Sequence, residues 1–269
     1  MSQTIPFFIS IPHSGEKLPP QTPWLSILPE EILMSDVDRY VDVIYKPSLL
    51  LLEIPFQLTE WHRYAVDLNR IPTDVDETSV IGALKKAGTH SDGYHWVMTK
   101  NEVRLMPAPI AQSTHDELTQ LIYEPFHAGV RNHYDSFVKK GFRNVFHIDA
   151  HSMPSVGTRM HKDPGEKRAD IVVSDCLGKS CDVGFKDLVI EAYKDAGFSI
   201  GYNWPYLGGR VTEQYGQPSI GRHAIQVELN RALYMDEKTK QLKAEHAQVQ
   251  AQIQQALSRI KSELPKLNL

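Results

Sequence analysis

The chain holds only two cysteines, Cys176 and Cys181, and they do not form a CxxC pair. That excludes a disulfide framework and a dithiol redox motif, and it makes a reducing cytoplasm the expected compartment. Neither thiol has an activating neighbourhood, so a cysteine nucleophile is not expected. Long apolar runs are also missing. The longest, Leu49 to Leu52, is far too short to span a bilayer, so no membrane partner is expected. The opening MSQTIPFFISIPHSG lacks a basic region ahead of its apolar residues, and no signal peptide is expected. Cationic excess is absent too. Lys and Arg number 29 against 33 Asp and Glu, a net charge of -4, which leaves no footprint for neutralising nucleic-acid phosphates. GFSIG (Gly197–Gly201) spells GxSxG, but it runs into a predicted strand rather than from a strand into a helix, so no serine sits in a nucleophile elbow, which weighs against a serine hydrolase. The run YLGGRVTEQYG (Tyr206 to Gly216) matches neither GxGxxG nor GxxxxGK[ST], so it is not a nucleotide loop.

What remains is a globular composition, 41% hydrophobic and 23% charged, over 269 residues. Hydrophobic periodicity predicts strands at Ile5–Ile11, Tyr64–Leu68, Asn144–Ile148, Ile171–Ser174, Phe198–Gly201 and Ala224–Leu229. Helices are predicted from Ser35 as N-cap through DVDRYVDVIY, over Thr114–Lys140 with a bend at Pro125, over Gly184–Ala196, and over Glu237–Leu264. Thr73 to Arg104, polar and rich in turn residues, reads as a long excursion from the core. Alternating strands and helices predict an α/β layer structure with a largely parallel sheet. With no repeat and no low-complexity linker, residues 1–269 read as a single domain. No apolar surface stripe distinguishes a monomer from a homo-oligomer.

Sites in open α/β sheets form beyond the carboxyl ends of strands. That rule selects His13, Asn69-Arg70, His151 and Glu228 among the chain's twelve histidines and its acidic and basic residues. The set suits metal-assisted hydrolysis. A catalytic zinc takes three protein ligands, usually His with a carboxylate, and a separate carboxylate removes the proton of water. His13 and His151 each sit at a strand-to-loop junction beside small residues; strand capping is the alternative for either one. Three acids compete for the third ligand position: Glu16 in the HxxE of His13–Glu16, and Asp36 and Asp38 at the start of the next predicted helix. Asp38 is favoured because it shares a helical face with Val41 and Tyr45, whereas Asp36 reads as a capping charge. Asn69 and Arg70 offer a neutral donor and a planar fork for a carboxylate, with an Arg70–Asp67 pair as the alternative. Glu228 lies between Val227 and Leu229, where desolvation suits a general base; a salt bridge to Arg231 or Arg222 is its alternative. Gly208-Gly209 reads as a turn that brings Arg210 and Thr212 near the substrate.

Taken together, SIPHSG, SDVDRYVDVIY, VDLNRIP, YEPFH, HIDAHSMPSVG, ADIVVSDCLGKSCD and GGRVTEQYG through IQVELNRALYM resemble the N-formylglutamate amidohydrolase family along most of the chain. Their order and intervals carry the resemblance. That family is grouped with zinc hydrolases of the carboxypeptidase and aspartoacylase-like kind. It implies a three-layer αβα sandwich with a mostly parallel mixed sheet, phosphorylase/hydrolase-like. It also implies zinc on His13, Asp38 and His151, a carboxylate held by Asn69 and Arg70, and Glu228 as base. Mn, Co or Fe would fit the same donors. The implied reaction is hydrolysis of N-formyl-L-glutamate to formate and L-glutamate, a step of histidine breakdown. GGRVTEQYG departs from the family pattern, which carries an aromatic residue at the Arg210 position and a basic one near Glu213 or Gln214. Arg210 is then the expected source of positive charge, and another N-acylated amino acid, or a short peptide, is the alternative substrate. A non-catalytic ligand-binding relative is the remaining alternative.

Overall fold

Alternation of apolar and polar residues in the strand segments builds the centre of the computed structural model, which describes residues 4–267. Six strands, β1 (Phe7–Ile11), β2 (Phe56–Leu58), β3 (Val145–Met153), β4 (Ile171–Ser174), β5 (Ile200–Tyr202) and β6 (Arg222–Asn230), form one sheet in the order β2-β1-β3-β6-β4-β5. Strands β2, β1, β3 and β6 run parallel, β4 is antiparallel to β6, and β5 is parallel to β4. The helices are α1 (Glu30–Leu33), α2 (Val41–Leu51), α3 (Gln112–Leu118), α4 (Glu124–Lys139), α5 (Val183–Asp195), α6 (Arg210–Tyr215) and α7 (His246–Glu263).

One sheet face presents Phe7, Ile9, Ile11, Phe146, Ile148, Ala150, Ile225 and Val227 to the buried stripes of α2, α5 and α7. The opposite face is covered by Phe126, Val130, Tyr134 and Phe137 of α4 and by the long segment that brings in Tyr64, Tyr94 and Trp96. This is the three-layer αβα sandwich with a mostly parallel mixed sheet. The excursion from Thr73 to Arg104 contains no helix or ladder strand, only isolated bridges, yet it buries Val80, Tyr94, Trp96 and Val97.

Three expectations are corrected. Tyr64–Leu68 is buried but is not a strand. His62 accepts the Tyr64 N–H at Nδ1 and the Ala65 N–H at its carbonyl, and the Tyr94 carbonyl accepts the Asp67 N–H, so turn and loop partners take these donors in place of a sheet ladder. The three-residue β2 occupies the sheet edge instead. The helix after Ser35 begins only at Val41, because Tyr40 adopts a left-handed conformation (φ 67°) that breaks any helix through Asp36 and Asp38. The last helix starts at His246 rather than Glu237. Asp236 Oδ1 accepts the N–H groups of Lys238 and Thr239, holding that stretch as a turn. Just ahead of Pro125, which sits in the first turn of α4, the chain passes through a π turn (Thr119–Tyr123), whose wider winding accommodates a ring that lacks an N–H and crowds the carbonyl four residues back.

Candidate active site

The loop after β1 places His13, and its carbonyl accepts the Asp38 N–H at 3.0 Å, tying the two segments together. Strand β3 carries His151 directly opposite Glu228 of β6, and Asp149 opposite Gln226. Side chains two residues apart on a strand share a face. His147, Asp149 and His151 therefore line up beside Gln226 and Glu228, away from the apolar helices. The alternation in VFHIDAHSM and IQVELN is the signal from which this polar stripe was legible.

His13, Asp38 and His151 come together as a buried group whose ligand atoms all lie within 4.8 Å of one another. His151 Nδ1 is 2.9 Å from Asp38 Oδ2, and His13 Nδ1 is 3.6 Å from the same oxygen. Both imidazoles turn their other nitrogen to a carboxylate: His13 Nε2 donates to Asp67 Oδ1 and His151 Nε2 to Asp149 Oδ2, each at 2.8 Å. Such outer carboxylates orient ligating histidines and set their tautomer. Arg231 Nη2 donates to Asp38 Oδ1 at 2.9 Å and leaves Oδ2 facing the rings. Burial alone would raise the Asp38 carboxyl, but hydrogen bonds from His13 and His151 and the Arg63 charge hold it well below its usual range. Burial alone would lower His151, whereas Asp149, Asp38 and Glu228 push it well above the ordinary imidazole value. The carboxylates around these rings attract positive charge, proton or metal alike. Two imidazole nitrogens and one carboxylate oxygen, each with an outer partner, fit a tetrahedral divalent ion with one open position.

The other acids are engaged elsewhere. Asp36 accepts from Tyr64 Oη at 2.7 Å, and Glu16 pairs with Arg39 at 2.8 Å. A cavity of about 420 Å3 opens over His13, Asp38 and His151, with Glu228 on its wall. Arg231 pairs with Asp38 and Arg222 with Asp135, so neither makes the salt bridge to Glu228 weighed from the sequence. Glu228 accepts from Gln226 Nε2 at 2.8 Å, and burial pushes its carboxyl up to about 7, against the lowering effect of His151 and Arg231.

Asn69 and Arg70 both line the cavity. Asn69 Oδ1 accepts the Val211 N–H, while Gly209 lies so close that a β-carbon there would fall 2.4 Å from Asn69 Nδ2. Arg70 is not paired with Asp67; its guanidinium leans on Asp92, which also binds Lys100, a second cation of the cavity wall. The structure does not bring Arg210 or Thr212 to the cavity. Arg210 forms an ion pair with Glu213 at 3.0 Å on α6, and Thr212 points into the interior with its hydroxyl unpartnered. A helix starting at Arg210 leaves Gly208 and Gly209 on the cavity wall and neither of these two side chains. Sequence reading missed Asp67, Asp149, Arg63, Arg231 and Lys100. Asp149 was legible from its spacing to His151, and Asp67 from the Asp-x-Asn turn.

A family model for N-formylglutamate amidohydrolase matches residues 5–235. The chain belongs to the N-formylglutamate amidohydrolase family. Two relatives of that family, each an N-formylglutamate deformylase, are similar along most of their length. That of Pseudomonas aeruginosa is 27% identical, covering 87% of this chain and 84% of its own, and that of Pseudomonas putida is 26% identical, covering 87% and 83%. The crystal structure of N-formylglutamate amidohydrolase from Ralstonia eutropha JMP134 superposes with a TM-score of 0.85 at 23% identity, covering 98% of this chain and 96% of that one. A gene product of Agrobacterium tumefaciens superposes with a TM-score of 0.67 at 16% identity, covering 94% and 90%. These two likenesses establish the shared fold. Family membership makes the chain an amidohydrolase. Among the described residues, no helix is long and apolar enough to cross a membrane.

Proposed function

We propose that this amidohydrolase hydrolyses N-formyl-L-glutamate to formate and L-glutamate, with zinc held by His13, Asp38 and His151 and with Glu228 as general base. The observation that carries the reading is a buried Glu228 carboxyl, pushed up to about 7, beside the His13–Asp38–His151 group on one cavity wall. When bound, the ion would supply Lewis acidity, polarising the formyl carbonyl and acidifying water. Glu228 accepts the proton of the water that attacks the formyl carbon and delivers it to the leaving nitrogen, and a pKa near 7 suits both transfers. Arg70 and Lys100 meet the substrate carboxylates, and Asn69 adds a neutral donor. Five cationic side chains against three carboxylates line the cavity, which favours an anionic substrate. Burial of His13, Asp38, His151 and Glu228 lowers the local dielectric and so strengthens their interactions.

The supporting relatives are deformylases of N-formylglutamate, and their names agree with this substrate. Arg210 lies outside the cavity, whereas Lys100, paired with Asp92, lines it and takes the part of the positive charge that the GGRVTEQYG departure calls for. The test is turnover of a panel of N-formyl, N-acetyl and larger N-acyl derivatives of glutamate and aspartate, with product identified by mass. Formate and glutamate released fastest from formylglutamate support the reading. A preference for another acyl group replaces the substrate while leaving the amidohydrolase. Metal analysis of the wild type and of His151→Ala completes the test: stoichiometric zinc lost in the variant is expected, and a metal-free active wild type overturns the metal assignment.

A further inference from the structure

We infer that Ser10, His147 and Tyr134 form a hydrogen-bond chain that acts through Asp149 to fix which nitrogen of His151 faces the metal, and thereby tightens metal binding. This rests on the metal site proposed above. The parallel register of β1 and β3 sets Ser10 opposite Asp149 and Phe8 opposite His147. Ser10 Oγ lies 2.5 Å from Asp149 Oδ1 and 2.7 Å from His147 Nε2, and Tyr134 Oη lies 3.2 Å from His147 Nδ1. Asp149 Oδ2 completes the chain at His151 Nε2. Ser10, Tyr134, His147 and Asp149 are wholly buried, and the Phe8 ring stacks on the His147 ring at 4.2 Å.

Only one arrangement of protons satisfies this chain. The ionised Asp149 carboxylate accepts and cannot donate, so Ser10 must give it the single hydroxyl proton. Ser10 Oγ must then receive a proton from His147 Nε2. Burial keeps His147 neutral, with one N–H, so its Nδ1 must accept from Tyr134. At the other end Asp149 Oδ2 accepts the Nε2–H of His151, so Nδ1 is the nitrogen turned to Asp38, where an ion would take the place of a proton. A chain in which each proton from Tyr134 to Asp149 has one possible place holds that carboxylate fixed, and the fixed carboxylate orients the His151 ring. Its members are positioning residues, since none touches substrate.

The test is zinc affinity of the full chain, measured by chelator competition, together with the visible absorption of the cobalt-substituted protein. Ser10→Ala should weaken zinc binding about tenfold to a hundredfold, the usual range for outer partners of a ligand, and should alter the cobalt spectrum. Ser10→Thr, which keeps the hydroxyl, should restore the affinity. Tyr134→Phe, at the far end, should shift it less and in the same direction. Folded Ser10→Ala with wild-type affinity and an unchanged cobalt spectrum overturns the inference; if that variant does not fold, wild-type affinity in Tyr134→Phe does so. A wild type that binds neither zinc nor cobalt overturns the metal site itself, a separate failure.

Discussion

Along β3, Phe146, Ile148 and Ala150 face helices α2, α5 and α7, while His147, Asp149 and His151, each one residue further on, face the cavity side. The first set removes apolar area from water, worth about 1.5–3 kcal/mol for a side chain such as Ile. The second set buries ionisable groups, which costs several kcal/mol per ion unless partners compensate. Asp38, Asp67 and Asp149 are compensated by histidines and arginines. Glu228 has no such ion pair and answers with a raised pKa instead. Both faces of the sheet bury apolar side chains, and the one beneath the cavity spends part of that stability on holding charge out of water.

The sharpest way to break this contrast is Glu228→Gln, which keeps the shape and removes the base. We expect a loss of about 10^3-fold in kcat, within the range for general-base removal, with zinc content and fold retained. Steady-state kinetics beside metal analysis checks it, and a fully active variant ends the role of Glu228. The mirror experiment on the apolar face is Ile148→Ala. It should cost about 2–5 kcal/mol of stability in denaturant unfolding while KM stays near wild type. Arg70→Ala should act on recognition, raising KM by about tenfold or more with kcat little changed, since a charged hydrogen bond contributes about 1.5–3 kcal/mol.

Smallest per step is the pH effect. As a base Glu228 must be ionised, so kcat/KM should fall about tenfold per pH unit below about 7. The stability sign runs the other way. A carboxyl raised in the folded state favours the neutral form, so its contribution is greatest below the unfolded value and is lost as pH rises toward about 7. Glu228→Gln should therefore be more stable than wild type above pH 7, which thermal melts across pH would record.

Much of the architecture was legible in the sequence because a period of two in VFHIDAHSM and IQVELN, and helical spacing in α5 and α7, report local geometry directly. Tyr64–Leu68 misled because its apolar residues are buried without pairing in the sheet. Strand β2 escaped because three residues carry too little pattern. Asp38 was reached from the sequence by a helical face that does not exist. The residue arrives at His13 through a backbone hydrogen bond, and its neighbour Tyr40 breaks the helix. Arg210 and Thr212 were read as substrate contacts from the adjacent glycines, but the direction of a side chain on α6 depends on where that helix starts.

Residue type and local spacing, by themselves, determined which groups the chain offers: two imidazoles at strand ends, acids nearby, a glutamate among apolar neighbours, and an Asn-Arg pair. Only the tertiary structure decided which acid joins the imidazoles, which carboxylates stand behind them, and which cations line the cavity. The physical reason is range. Helical and strand periods are set by neighbours a few residues away, whereas the meeting of residues 13, 38 and 151 is set by the parallel register of β1, β3 and β6 and by loops that no local rule dictates.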